Sequence, residues 1–161
     1  MRRLLIGGAL GVLVVSLAAC GGSNASSASE QTMQRNADLW EIDQLEKSFH
    51  KATSKKDIDL MMSLWAPNAT LTVGPGQTAT GTDQIRQLFL QNSATFDPAN
   101  DWISDHPAYK IEITVNGDRG TLHFECHYVD AQTRVVALAT AADLDVARID
   151  GRWLITNMVA G

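Results

Sequence analysis

His106, His123 and Asp145 are the side chains of this 161-residue sequence whose types and positions suit proton chemistry. His106 precedes one strand pattern and His123 lies within the next. An imidazole titrates near neutral pH and serves as either acid or base. Asp145 sits in the run Leu144-Asp145-Val146-Ala147-Arg148. If it points into an apolar interior its pKa rises, and as a neutral acid it donates a hydrogen bond. The competing reading is plainer: two ordinary polar histidines at a strand start and on a sheet face, and a solvated carboxylate near Asp143. Asp143 and Asp145 share a strand face by the two-residue period.

His123, Glu125 and His127 also share one face. Residues i and i+4 of a strand stand roughly 13 Å apart, at ~3.3 Å per residue. One metal ion cannot take both histidines without a bend, so no metal site is expected. The sequence has no phosphate-binding glycine loop, no nucleotide fingerprint and no serine triad signature. No cofactor is expected either.

Trp65, Trp102 and Trp153, with Phe49 and Phe89, have the spacing of core aromatics. Some of them can also wall a pocket for an apolar ligand. Phe49, Trp65, Val73, Phe89 and Trp102 are the candidates for that role.

The elements that must position these residues follow from periodicity. Leu39, Ile42, Leu45, Phe49 and Ala52 recur at three- and four-residue steps, which predicts a helix with one apolar face. Asp57 can cap a second helix carrying Ile58, Met61, Met62 and Trp65, ended by Pro67. Residues 69–73 read as a short strand, and Gly74-Pro75-Gly76 as a turn. Thr82 can cap a third helix carrying Ile85, Leu88 and Phe89. Beyond Asp97-Pro98 the period changes to two. Tyr109, Ile111, Ile113 and Val115 alternate with polar residues, and Asn116-Gly117-Asp118 signals a hairpin. Leu122, Phe124, Cys126 and Tyr128 alternate with His123, Glu125 and His127. A strand over 135–149, a turn at Asp150-Gly151 and a strand over 152–159 complete the sheet. Helices followed by antiparallel strands make an α+β domain.

The amino end is read separately. Arg2 and Arg3 precede an uncharged apolar run over residues 4–17, and Leu17-Ala18-Ala19-Cys20 follows. The run is short for a membrane-spanning helix, which needs about 20 residues. This segment resembles the lipobox signal of bacterial lipoproteins, which implies cleavage before Cys20 and diacylglyceryl attachment to it. The alternative is a plain signal peptide cut near Ala19. Residues 21–29 are Gly, Ser, Asn and Ala, the composition of a flexible tether. The expected organisation is therefore a signal peptide over 1–19, a lipidated cysteine with its tether over 20–34, and one domain over 35–161. The expected location is the extracytoplasmic side of a membrane. Cys126 is then the only thiol left, so no disulfide within the mature chain is available. Its setting in a strand is that of a small core residue.

The formal charge is −5. Removal of Arg2 and Arg3 leaves 11 basic against 18 acidic residues, or −7. An acidic domain argues against nucleic acid, which is bound by neutralising phosphates. It also argues against electrostatic docking on anionic lipid.

Three phrases, in their order and spacing, resemble the SnoaL-like branch of the nuclear-transport-factor-2-like superfamily. They are Lys56-Asp57-Ile58-Asp59, Leu64-Trp65-Ala66-Pro67-Asn68-Ala69-Thr70 and Gly81-Thr82-Asp83-Gln84-Ile85. The run Arg148-Ile149-Asp150-Gly151-Arg152-Trp153-Leu154-Ile155 matches the superfamily's last hairpin. The resemblance implies a cystatin-like cone, with three N-terminal helices on a strongly curved antiparallel sheet, one open pocket, and often a homodimer through the sheet. It also implies where catalytic groups would fall. The ketosteroid isomerase positions fall on Phe49 and Val73, with Asp145 alone matching. The scytalone dehydratase histidines fall on His106 and His123, while its helix-one pair falls on Thr53 and Ser54. The leading expectation is thus a membrane-anchored module holding a small, mostly apolar molecule. The alternatives are a cofactor-free lyase, isomerase or hydrolase using His106, His123 and Asp145, and a non-catalytic structural or interaction domain.

Overall fold

The computed structural model describes residues 23–104 and 109–161. Helix α1, Ser23–Lys55, is the first element of the described residues. Its inward stripe holds Ile42, Leu45, Phe49 and Ala52, as the periodicity predicts. Asp38, Glu46, His50 and Thr53 are buried on the same side. The segment whose composition reads as a flexible tether is helical from Ser23 onward. Ala, Glu, Gln and Met are good helix formers, and extending an existing helix avoids a new nucleus. Residues 27–37 of this extension are exposed.

Helix α2, Ile58–Met62, is a single turn, and the Asp57 carboxylate caps it by accepting from the Leu60 N–H. It stops earlier than the spacing of Trp65 suggests. Trp65 instead begins strand β1, Trp65–Val73, and Pro67 lies inside that strand. The ladder to the neighbouring strand shifts register between Trp65 and Thr70. A bulge is where a strand tolerates a proline, which cannot donate to the ladder. Strand β2, Gln77–Thr80, returns along β1. It is short and polar, and the alternation rule passes over it.

Helix α3, Thr82–Asn92, buries Ile85, Leu88 and Phe89. Gly81, not Thr82, is its N-cap, at φ 79°, a backbone conformation that glycine adopts without steric cost. A 3-10 turn, Ala94–Phe96, and strand β3, Trp102–Ser104, follow. Strands β4, Tyr109–Asn116, and β5, Arg119–Asp130, form the expected hairpin. Strands β6, Val136–Ile149, and β7, Arg152–Ala160, complete the sheet.

The sheet order is β2-β1-β7-β6-β5, with β3 and β4 sharing the far side of β5. Strands β1 and β7 run parallel, so the sheet is mixed rather than wholly antiparallel. One face packs on α1 and α3. Phe124, Leu122, Leu71 and Ile155 from the strands meet Ile42, Met61 and Ile85 from the helices in one core. Each such buried side chain contributes about 1.5–3 kcal/mol. Arg148 on β6 ties the sheet to α1. It bonds Asp38, lies 3.6 Å from Glu41 and 3.2 Å from Asp118, and stacks at 4.8 Å over Trp153.

Candidate functional site

A cavity of about 310 Å³ lies between the helices and the inner sheet face. Helix α1 contributes Phe49 and Thr53, and α3 contributes Phe89. Strands β1, β5 and β6 add Leu71 and Val73, Phe124 and Tyr128, and Leu138, Thr140 and Ala142. Met158 and Ala160 of β7 complete the apolar wall, and Ser93 and Thr95 lie beyond the end of α3. Among the described residues no charged side chain lines this space.

The strands fix these choices. On β5, Leu122, Phe124, Cys126 and Tyr128 are the buried set. The two-residue period then sends each to the cone side. On β6 the buried set is Ala142, Leu144 and Val146. Phe49 packs at a tilt against Phe124 and edge-on against Phe89, with ring centroids 5.5 and 6.4 Å apart.

Polar groups gather at one end of the cavity. Tyr128 is buried, and the hydroxyls of Thr53 and Thr95 and the Cys126 thiol are the polar groups that act on its phenol. Burial and the Cys126 thiol push the phenol well above its ordinary range, while Thr53 and Thr95 act the other way. The Ser93 and Thr95 hydroxyls are 2.7 Å apart. The Thr53 hydroxyl donates to the His50 carbonyl at 2.9 Å.

Behind this corner stands a buried ion pair. His50 Nε2 lies 2.6 Å from Glu46 Oε1, one helical turn away. The contact is close but poorly aligned as a hydrogen bond. His50 Nδ1 bonds the Ser104 hydroxyl, and the Ser104 N–H donates to Ser54 Oγ at 2.8 Å. Burial alone disfavours the imidazolium, but hydrogen bonding to Cys126 and pairing with Glu46 outweigh it. The His50 pKa is raised to about 9.

The sequence candidates divide around the sheet. Phe49, Val73 and Phe89 line the cavity. Trp65 is buried in the core against Phe89, at 6.1 Å, and Trp102 packs beside Tyr128 at 6.5 Å. Neither tryptophan is part of the wall. His123 and Asp145 face outward on the opposite side of the sheet. There they share a groove of about 460 Å³ with Glu112, Asp143 and Asn157. His123 Nδ1 is 2.7 Å from Asp143 Oδ1. Asp145 accepts from Asn157 Nδ2 at 3.2 Å, and Asn157 Oδ1 accepts from Thr70 at 2.6 Å. The reading that points Asp145 into the cone is therefore corrected. Leu144 and Val146 take the inward positions, so the residue between them must turn out. His106 and Cys20 lie outside the described residues.

Glu46, His50 and Thr95 are the site residues that periodicity passes over, while Tyr128 takes its inward place from the alternation of β5. The available signal was a Glu-His pair four residues apart within an apolar helical stripe. Among the described residues no cluster of His, Cys, Asp and Glu suits a metal ion, and no helix is long and apolar enough to cross a membrane.

A family model for the SnoaL-like domain matches residues 34–159. This chain belongs to the SnoaL-like family. Solved structures carry the same cystatin-like, NTF2-like fold. A protein of unknown function from Nostoc punctiforme is 22% identical, with a TM-score of 0.64 over 77% of this chain and 90% of that one. An NTF2-like protein from Novosphingobium aromaticivorans is 16% identical, with a TM-score of 0.66 over 88% and 90%. A hexachlorocyclohexane dehydrochlorinase of type 2 is 17% identical, with a TM-score of 0.65 over 81% and 88%. Among curated proteins, none matches the chain. At these identities the SnoaL-like assignment carries the fold, and activity has to be argued from the site.

Proposed function

We propose that this SnoaL-like chain is a membrane-anchored module that binds a small, mostly apolar molecule in the cell envelope. The observation that carries the ligand reading is the cavity of about 310 Å³ with its apolar wall. Small-molecule sites are concave, mostly apolar and fitted with a few polar groups, at about 300–1,000 Å³. This cavity matches that description at its lower end, so it suits a compact ligand. An anionic ligand would have to leave water for a wall with no cationic side chain among the described residues, at a large desolvation cost.

Calorimetric titration with small neutral aromatic and aliphatic compounds tests the reading. Saturable binding of some members is expected, and no binding across the panel overturns it. Anchoring rests on Leu17-Ala18-Ala19-Cys20 and has its own test. Cells fed labelled palmitate should label the wild-type chain and leave Cys20→Ala unlabelled. Equal labelling of both, or of neither, removes the lipid anchor.

A lyase or isomerase chemistry is the alternative, and one solved relative is named a dehydrochlorinase. Chemistry inside the cone would have to use Tyr128 and its neighbours. The sheet stands between the cavity and the pair His123 and Asp145.

A further inference from the structure

The cavity is apolar except in one corner, and that corner is built from hydroxyls. Thr53, Ser93, Thr95 and Tyr128 all line it. Three of them come from separate elements: α1, the turn after α3, and β5. Thr140, the remaining hydroxyl of the wall, is on β6 and has its own partner, 3.5 Å away, in the Gly161 carbonyl. Four hydroxyls at one end of an apolar space are not needed to fill it, since Val and Ala have similar shapes and bury at less cost. The Thr53 hydrogen is used on the His50 carbonyl, so this oxygen is left as an acceptor toward its neighbours. One of the Ser93 and Thr95 hydrogens lies between their two oxygens, 2.7 Å apart, which leaves the other, and that of Tyr128, to rotate toward the cavity.

We propose that this corner is a subsite for one neutral oxygen of an otherwise apolar ligand, with the Tyr128 hydroxyl as the donor and Thr95 and Ser93 beside it. The inference rests on the ligand-binding reading above and narrows it to a substrate class: compact carbonyl-bearing or hydroxyl-bearing molecules. Burial and Cys126 hold the phenol above its usual range, so it remains a donor at neutral pH. A carboxylate or ammonium ligand is disfavoured, because none of the four groups carries charge. A site that offers a buried hydroxyl discriminates against the analogue that lacks its partner, because the hydroxyl is then left without one.

Acetophenone and α-methylstyrene test this, as they differ in replacing C=O by C=CH2. The full chain is titrated with each, alongside Tyr128→Phe and Ser93→Ala. Tyr128→Phe should weaken acetophenone about tenfold and leave α-methylstyrene unchanged or tighter. Ser93→Ala should give a smaller change of the same sign, and it covers the case in which Tyr128→Phe does not fold. The infrared carbonyl stretch of bound acetophenone provides a readout in the wild-type chain. It should lie below its frequency in an alkane and return toward it in Tyr128→Phe. An alkane-like frequency in the wild-type chain, or equal effects of the substitutions on both compounds, overturns the subsite and leaves apolar binding standing. Failure of both compounds to bind the wild-type chain overturns the subsite and counts against the binding reading itself.

Discussion

His50 Nε2 stands 2.6 Å from Glu46 Oε1, and both side chains are sealed between α1 and the sheet. Two opposite charges in a core are costly to desolvate, and their attraction offsets that cost only while both are present. The pair therefore couples the protonation of His50 to folding. The groups that face His50 are Glu46 on its own helix, Cys126 on β5 and Ser104 on β3.

The pH dependence has a definite sign. The folded-state pKa of His50 is about 9, against 6.5 for the ordinary side chain. A raised pKa means that folding binds the proton more tightly, so the added stability is full below 6.5 and fades as pH rises toward 9. The thermal midpoint should fall across pH 6.5–9 in the wild-type chain and change much less in His50→Gln. Differential scanning calorimetry across that range checks this, and a flat wild-type profile would contradict it.

Arg148 supplies a second expectation. Its guanidinium meets Asp38, Glu41 and Asp118 and lies over Trp153. Asp38 is 4% exposed and is the most enclosed of the three acids. Asp38→Ala should cost about 2–4 kcal/mol, because it leaves the cation half-enclosed beside weaker partners. Asp118→Ala, at the exposed hairpin, should cost under about 1 kcal/mol. Urea unfolding of the two variants gives the comparison, and equal losses would be inconsistent with it.

Gly120 lies under α1, where space rather than backbone conformation dictates the residue. A methyl group there would come 2.5 Å from the Thr114 carbonyl oxygen and 3.3 Å from Ile42 Cδ1. The carbonyl belongs to the paired strand and cannot swing away. Gly120→Ala should destabilise the chain by about 1–3 kcal/mol. A chemical denaturation midpoint indistinguishable from wild type would show that the β4–β5 hairpin yields more easily than this packing implies.

Ala142 is inward-facing on β6 and forms part of the cavity wall. A larger apolar side chain at this point grows into empty space. Ala142→Leu should reduce binding of any cavity ligand at least about tenfold while stability holds or rises by about 0.5–2 kcal/mol. Calorimetric titration and thermal melting of the same preparation separate the two effects. Undiminished binding would place the ligand elsewhere on the molecule.

Much of the scaffold was legible in the sequence, because it rests on repeated apolar spacing. The stripe from Ile42 to Ala52, the alternation from Leu122 to Tyr128 and the Asn116-Gly117-Asp118 turn each carry their own geometry. The losses have physical causes. Pro67 reads as a helix stop but sits in a strand where the ladder slips. Strands β2 and β3 are too short to show a period. The site was harder to read than the fold. His123 is an imidazole in a strand, yet its alternation with Phe124 sends it to the outer face. His50 and Glu46 lie one helical turn apart on α1, and only the position of β5 and β3 turns them into a buried pair. Phe49, Val73 and Phe89 were legible as wall residues because they already belonged to apolar patterns.

The length of α1 has a mechanical consequence. At about 1.5 Å per residue its 33 residues make a rod of roughly 50 Å. Phe49 and Thr53, which touch the cavity, stand near one end, while the exposed turns over 27–37 run toward the other. Whatever grips the amino end therefore carries the cavity like a lantern on a mast, with its lever arm set by the helix itself. Breaking that arm with a proline near Thr32 would change the reach of the cavity without touching its walls.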